Sequence, residues 1–343
     1  MQVKGIHGGD IYHNHVDIDF SINVNPFGMP KAVESALHET VTACSNYPDI
    51  AERDLKRAVG GMLKISEGSL LFGNGASELF MAIVHGLQPR KVLIPVPSFY
   101  GYEYAAAAAS ESIVFYPFRK ENGYLPGEDF PEILTEDTDV LFLGNPNNPT
   151  GRLLDKTYLR KILQICRQNK IIVVLDECFM EFCGEEFSMV SEISEYENLL
   201  IVRAFTKIFA IPGVRLGYLT GSNAFLLDKI RRNLPEWNLS VFAQAAGIVC
   251  AEQSDFVRET VHYIKGERQF LSDRMKREGL RVFPGEANFI LVYSEKPLYE
   301  NLLEQGILIR DCGNFRGLSK GFYRIAVKSR EENEILLRAV EKI

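Results

Sequence analysis

Lys207 is the residue of this chain whose type and position most directly indicate covalent chemistry. It ends the apolar segment 199–207 and stands shortly before the Pro-Gly turn at 212–213. A lysine held among apolar residues has a lowered pKa, and its neutral amine can attack a carbonyl carbon to form a Schiff base. The sequence therefore predicts a nucleophilic lysine at this position.

Two other polar residues follow apolar runs in the same way. Asn148 lies in an Asn-Pro-Asn-Asn-Pro-Thr-Gly segment after the run 140–143, and Asp176 follows the run 171–175. Together with Lys207 they supply what an enzyme dependent on pyridoxal 5'-phosphate (PLP) needs. PLP carries the electron sink, while the protein holds its ring, keeps the ring nitrogen protonated and anchors its phosphate.

The elements that must position these residues are visible as a repeating pattern. Between about residues 70 and 220, short runs rich in Val, Ile and Leu alternate with helix-length segments, which is typical of parallel βαβ units. Asn148, Asp176 and Lys207 are spaced by about 30 residues, the length of one such unit. Ligands of open α/β sheets bind outside the carboxyl ends of the strands, so we expect the three side chains to converge on one cleft.

Further contacts to the cofactor can be predicted from residue type. Asp176 would pair with the pyridine nitrogen, or alternatively cap a helix. The backbone N–H groups of Gly75 and Ala76, in a glycine-rich turn that opens a helix, could bind the phosphate. Arg215 could add a bidentate phosphate contact or instead form a surface ion pair. Phe99 could stack on the ring or belong to the core.

Two arginines suggest where a substrate would bind. Arg310 and Arg324 interrupt otherwise apolar strands, and burying them without an anion would be costly. They could bind a substrate carboxylate and phosphate. The alternative is pairing with carboxylates of the protein, such as that of Asp311.

The segments 147–151, 176–177 and 206–207, followed by Arg215, resemble the aminotransferase superfamily of fold-type I PLP-dependent enzymes over nearly the whole chain. The resemblance implies an α/β fold, with a large domain built on a mostly parallel central sheet and a smaller α+β domain. We predict a large PLP-binding domain at 45–237. The N-terminal segment, residues 1–44, would join the small C-terminal domain, residues 238–343.

The resemblance also implies roles for individual residues. Lys207 would carry the cofactor and Asp176 would pair with its ring nitrogen, these two being the catalytic residues. Asn148 would hydrogen-bond the ring hydroxyl, and Thr206 would join the cofactor-binding residues. Tyr47 would reach the cofactor phosphate across the interface of a homodimer whose active site is shared between subunits.

Within this superfamily the ends of the chain are most similar to the threonine-phosphate decarboxylases of cobamide biosynthesis, a branch allied to the histidinol-phosphate aminotransferases. The segments that carry this similarity are 7–9, 19–28, 210–218 and 307–314. Phe179 favours the decarboxylases, because related aminotransferases usually have a tyrosine there. At the position of Ala204, three residues before Lys207, members of the superfamily often have a Ser or Thr that donates a hydrogen bond to the cofactor phosphate. By resemblance, His7 and Asn23 would bind the substrate phosphate.

The resemblance implies PLP-dependent decarboxylation of L-threonine O-3-phosphate to (R)-1-amino-2-propanol O-2-phosphate, a carbon-carbon lyase reaction. L-serine O-phosphate is an alternative substrate, since the two differ by one methyl group. Amino transfer from histidinol phosphate or an aromatic amino acid is an alternative reaction. A cofactor-binding protein without turnover is a third alternative, which intact Lys207, Asp176 and Asn148 disfavour.

Composition limits the remaining classes of function. A net charge of -7 provides no positive surface for nucleic acid. No stretch approaches the roughly 18 apolar residues of a membrane span, and the first residues lack the apolar core of a signal peptide, so we expect a cytoplasmic protein. The six cysteines contain no CxxC pair, and His13 and His15 could form half of a metal site but lack a nearby Cys or further His, so no metal site is predicted.

Overall fold

The computed structural model describes residues 7–343, which form strands in three sheets surrounded by helices. The strands are β1 (Ile18–Asp19), β2 (Leu70–Gly73), β3 (Lys91–Val96), β4 (Ser112–Pro117), β5 (Val140–Gly144), β6 (Ile172–Asp176), β7 (Leu199–Ala204), β8 (Gly217–Gly221), β9 (Arg281–Phe283), β10 (Phe289–Tyr293), β11 (Ile307–Leu308), β12 (Arg310–Asp311) and β13 (Phe322–Ala326). The helices are α1 (Lys31–Thr40), α2 (Arg53–Leu63), α3 (Ala76–Leu87), α4 (Tyr100–Ala109), α5 (Lys156–Gln168), α6 (Phe205–Ile208), α7 (Ala224–Arg231), α8 (Val241–Cys250), α9 (Ser254–Arg277), α10 (Leu298–Leu303) and α11 (Arg330–Val340). None of the helices in this part of the chain is both long and apolar enough to cross a membrane.

The central sheet has seven strands in the order β2-β8-β7-β6-β5-β3-β4. β8 runs antiparallel to both of its neighbours, and the other strands are parallel to one another. β5 and β7 are buried along their whole length, as expected for strands covered by helices on both faces. The predicted α/β architecture is therefore confirmed.

The strand order brings the carboxyl ends of β5, β6 and β7 together. Gly144 at the end of β5 pairs with Asp176 at the end of β6, and Asp176 pairs with Val202 of β7. The Asn145 N–H donates to the Asp176 carbonyl at 2.8 Å, which holds the start of the next turn against β6. Asn147 secures that turn through its amide, which donates to the Pro97 carbonyl at 2.9 Å.

A buried ion pair holds the segment that follows β6. The guanidinium of Arg203 on β7 is 1% exposed and donates to the Glu177 carboxylate at 3.0 and 2.9 Å. It also donates to the Ser188 hydroxyl at 2.6 Å. Removing one partner of such a pair strongly destabilises the fold, because it leaves the other charge buried without compensation. Arg203, which the sequence analysis did not single out, therefore ties the loop beyond Asp176 to β7.

The smaller antiparallel sheet has the order β12-β13-β10-β9, and a separate two-stranded sheet joins β1 to β11 in parallel. The segment 307–311 is divided between two sheets, since β11 pairs with β1 in the N-terminal segment and β12 pairs with β13. All strands of the central sheet lie within 45–237 and all other strands lie outside it. We propose this division as the domain boundary.

Candidate active site

A cavity of about 310 Å³ opens at the carboxyl ends of β6 and β7, with walls from both the central and the smaller sheet. It gathers most of the predicted site residues. Those that line it are His7, Asn23, Ala76, Phe99, Asn148, Asp176, Thr206, Lys207, Arg215, Arg310 and Arg324. Gly75 lies beside Arg215 at its edge, whereas Tyr47 lies outside the cavity of its own chain.

Lys207 lies on the short helix α6, which follows β7 directly. Its side chain is half-buried at the cavity wall, and the desolvation of its amine lowers the pKa of Lys207 to about 8. The positive charges of Arg324 and Arg215 act in the same direction, whereas Cys178 and Asp176 oppose the shift. A substantial fraction of the amine is therefore neutral near physiological pH and able to act as a nucleophile.

Asp176 is the last residue of β6 and is almost completely buried. Its two carboxylate oxygens accept hydrogen bonds from the Cys178 N–H at 2.9 Å and from the Tyr102 hydroxyl at 2.5 Å. Burial raises the pKa of Asp176, and the hydrogen bonds to Cys178 and Tyr102 oppose that rise. The helix-cap alternative is wrong, because the next helical turn begins at Met180 with Phe179 as its N-cap residue.

The amino end of α3 forms a cradle for an anion. Gly75 precedes the helix with a φ of 81°, and within residues 7–343 no side chain caps the N–H groups of the first turn. The guanidinium of Arg215 lies directly over this glycine, since a Cβ at position 75 would be 2.2 Å from Arg215 Nη2. Arg215 donates to the carbonyl of Pro212 at 3.1 Å and has no carboxylate partner among residues 7–343. The surface ion-pair alternative is therefore wrong.

Aromatic and small side chains complete the cofactor side of the cavity. Phe99 precedes α4 and packs edge-to-face on Tyr102, with ring centroids 5.7 Å apart. Phe179 packs edge-to-face on Phe289 at 5.2 Å and brings no hydroxyl to the cavity. Ser77, which the sequence analysis missed, adds a hydroxyl beside Ala76. It is the second residue of α3, and small polar residues in a glycine-rich turn before a helix are the signal that could have revealed it.

Arg310 and Arg324 are paired across β12 and β13 and are 6% and 7% exposed. Arg324 donates to the Asn148 side-chain oxygen at 2.5 Å and to the Ser21 carbonyl at 2.8 Å. It makes no ion pair with a carboxylate in the described part of the chain. Burial lowers the pKa of Arg324 to about 10, and the neighbouring charge of Arg310 contributes. Two cations are thus held side by side at the cavity wall.

The predicted phosphate donors lie next to this arginine pair. The amide of Asn23 lies 3.2 Å from both Nε and Nη1 of Arg324, with its oxygen as the acceptor. The His7 ring packs beside Phe99 at 6.0 Å and Tyr100 at 6.2 Å. Burial lowers the pKa of His7, as do the charges of the two arginines and Lys207. The substrate-binding roles of His7 and Asn23 remain predictions.

Residues 16–340 match the model of the aminotransferase class I and II family, and the chain belongs to that family. The family is PLP-dependent, so this protein is a PLP-dependent enzyme. The chain is 34% identical to threonine-phosphate decarboxylase of Salmonella typhimurium, over 95% of this chain and 91% of that protein. The predictions of family, fold type and cofactor are confirmed.

Two solved structures are also closely similar. Histidinol-phosphate aminotransferase from Clostridium acetobutylicum is 35% identical with a TM-score of 0.89, over 95% of this chain and 98% of that one. L-threonine-O-3-phosphate decarboxylase from Porphyromonas gingivalis is 26% identical with a TM-score of 0.84, over the same shares of the two chains. The chain is therefore similar to enzymes of both reaction types.

The residues of the cavity fit PLP. Asp176 presents a buried carboxylate for a protonated ring nitrogen, and the uncapped end of α3 with Arg215 suits a phosphate. Lys207 would provide an amine for the aldehyde carbon, and Asn148 would provide an amide for the ring hydroxyl. When bound, PLP supplies an electron sink for a bond broken at the α carbon of an amino acid.

The lowered pKa of Lys207 leads to a prediction for cofactor loading. The rate of covalent attachment of PLP to the apoprotein should rise roughly tenfold per pH unit up to about pH 8 and then level off, because the neutral amine is the reactive form. Stopped-flow absorbance measures this rate. PLP itself also titrates, so its noncovalent binding to Lys207→Ala over the same pH range is the control. A loading rate independent of pH would contradict the lowered pKa.

Proposed function

We propose that this enzyme decarboxylates L-threonine O-3-phosphate, releasing carbon dioxide and (R)-1-amino-2-propanol O-2-phosphate for cobamide biosynthesis. The observation that carries the proposal is the buried pair Arg310 and Arg324, which faces the same cavity as Lys207. The similarity to threonine-phosphate decarboxylases over nearly the full chain supports the assignment.

The charge of the cavity supports a dianionic substrate. Burial lowers the pKa of Arg310, and burial together with the charge of Arg310 lowers the pKa of Arg324. An anion bound between the two guanidinium groups would therefore stabilise both of their charges. A phosphate monoester carries a charge of about -1.5 to -2 at neutral pH, and guanidinium groups match its oxygens in bidentate contacts. A phosphorylated amino acid therefore suits the site better than an uncharged side chain.

The position of Lys207 also suits the proton transfer that decarboxylation requires. Loss of carbon dioxide leaves an electron pair at the α carbon, which must then receive a proton. A lysine with a pKa of about 8 can hold a proton and release it within the same pH range. We assign that transfer to the Lys207 amine. Phe179 adds support, since this position lacks the hydroxyl common in related aminotransferases.

We also propose a homodimer in which Tyr47 reaches the active site of the partner subunit. Tyr47 is 83% exposed and packs on Trp237, with ring centroids 5.0 Å apart. A large exposed aromatic pair of this kind is unusual on the surface of a monomer and is typical of an interface.

The proposed reaction can be tested without any keto acid. PLP-loaded protein incubated with L-threonine O-3-phosphate should release carbon dioxide and the phosphorylated amine over many turnovers, because decarboxylation needs no amino acceptor. L-serine O-phosphate should react with a kcat/KM about 10- to 200-fold lower, the range expected for one missing methyl contact. No carbon dioxide, together with amino transfer from histidinol phosphate to a keto acid, would establish the aminotransferase instead.

A further inference from the structure

The Asp176 carboxylate accepts a hydrogen bond from Tyr102, a residue that does not line the cavity. Tyr102 lies on α4, is 1% exposed, and donates its hydroxyl hydrogen bond to Asp176 Oδ2 at 2.5 Å. The other carboxylate oxygen accepts the Cys178 N–H. The carboxylate is therefore held at both oxygens before any ligand enters.

The Tyr102 ring is fixed by an aromatic cluster. It packs edge-to-face on Phe80 at 5.1 Å and stacks on Phe142 at 5.3 Å, in addition to its contact with Phe99. Gly144 leaves room for the hydroxyl, since a Cβ at that position would lie 3.1 Å from the hydroxyl oxygen. A hydroxyl in such surroundings is costly to bury unless it has a partner, and the Asp176 carboxylate is that partner.

We propose that Tyr102 is a positioning residue that acts through Asp176 to control how strongly the protein holds the protonated ring nitrogen of the cofactor. Hydrogen bonds to a carboxylate favour its charged form, and only the charged form pairs with a pyridinium. Burial works against that form, so the hydroxyl offsets part of the desolvation of Asp176. The pKa of Tyr102 is raised well above its usual value, so the phenol stays protonated and remains a donor.

The consequence for chemistry follows from the ring nitrogen. A protonated ring withdraws electrons from the α carbon more strongly than a neutral ring, whichever bond breaks there. Tyr102 therefore supports catalysis without touching the cofactor. The inference depends on the cofactor alone and holds for a decarboxylase and an aminotransferase equally.

The test compares Tyr102→Phe with Tyr104→Phe, which removes the hydroxyl of a 61% exposed tyrosine on the same helix. Phenylalanine keeps the ring that packs on the cluster. Dissociation constants are measured for PLP and for an analogue in which carbon replaces the ring nitrogen. We expect Tyr102→Phe to weaken PLP about tenfold, equivalent to about 1.4 kcal/mol, and to weaken the analogue less than about twofold. Tyr104→Phe should change neither.

An equal loss of affinity for PLP and the analogue would overturn the proposal, because it would show that the hydroxyl supports only the shape of the site. Unchanged affinity for both would overturn it as well. A second measurement, the nitrogen chemical shift of bound PLP labelled with ¹⁵N at the ring, should move toward the unprotonated value in Tyr102→Phe at neutral pH. The same shift in wild type and variant would also contradict it. None of these measurements requires substrate turnover, so they remain informative if the proposed reaction is wrong.

Discussion

Lys207→Ala should abolish covalent attachment of PLP and with it nearly all turnover. Borohydride treatment of the loaded wild-type protein should leave a reduced cofactor on Lys207, whereas the variant should release its cofactor on denaturation. Turnover should fall by at least the 10²- to 10⁴-fold that a positioned acid-base group contributes. Mass spectrometry of the reduced protein and steady-state assays measure the two effects.

Two further expected results make this prediction specific. Lys265→Ala, at an exposed position of α9, should behave like wild type. Lys207→Ala should still fold, because the Asp176 carboxylate keeps its hydrogen bonds from the Cys178 N–H and the Tyr102 hydroxyl when the amine is removed. If borohydride treatment still fixed the cofactor to the Lys207→Ala protein, the reactive lysine would lie elsewhere.

Arg324→Ala should weaken phosphorylated substrates far more than it weakens PLP. A lost charge-assisted hydrogen bond costs about 1.5 to 3 kcal/mol, which corresponds to roughly a 10- to 150-fold increase in KM. Some effect on the cofactor is expected, because Arg324 also holds Asn148 through its side-chain oxygen. Substrate kinetics and direct titration of the apoprotein with PLP separate the two effects.

Arg324→Lys is the matched variant, because it keeps the charge but loses the planar fork of donors. Substrate affinity should recover only in part, since a lysine cannot bond the phosphate, Asn148 and the Ser21 carbonyl at the same time. Equal losses for substrate and PLP in Arg324→Ala would mean that this arginine belongs to the cofactor site rather than to the substrate site.

Much of the cofactor site was predictable because it depends on local periodicity. In parallel βαβ units, every strand ends at the same edge of the sheet, so residues about 30 apart at strand ends must come close together. Asn148, Asp176 and Lys207 were found in this way, and all three line the cavity. The glycine-rich turn before α3 was recognisable for a similar reason, since its role depends on backbone N–H groups rather than on distant partners.

The residues that sequence reasoning missed are defined by contacts between segments that have no regular spacing along the chain. Tyr102 is 74 positions from Asp176. Arg203 is 26 positions from Glu177, and the loop 178–198 and the first four residues of β7 lie between them. Tyr102 follows Phe99 by three residues and lies in the first turn of α4, whereas Phe99 is the residue before that helix. That spacing was the available signal, but nothing in it identifies Asp176 as the acceptor.

The sequence by itself thus determined the alternation of strands and helices and the class of cofactor, because each follows from short segments and their spacing. The assignment of Lys207 as the nucleophile is a prediction made from the same segments. Only the tertiary structure decided the surroundings of these groups. It brought Arg324 to Ser21, 303 positions away, and to Asn148, 176 positions away, and it placed Tyr102 behind Asp176. Burial and distant charges set the pKa values of Lys207 and Arg324, and both arise only when separate segments pack together.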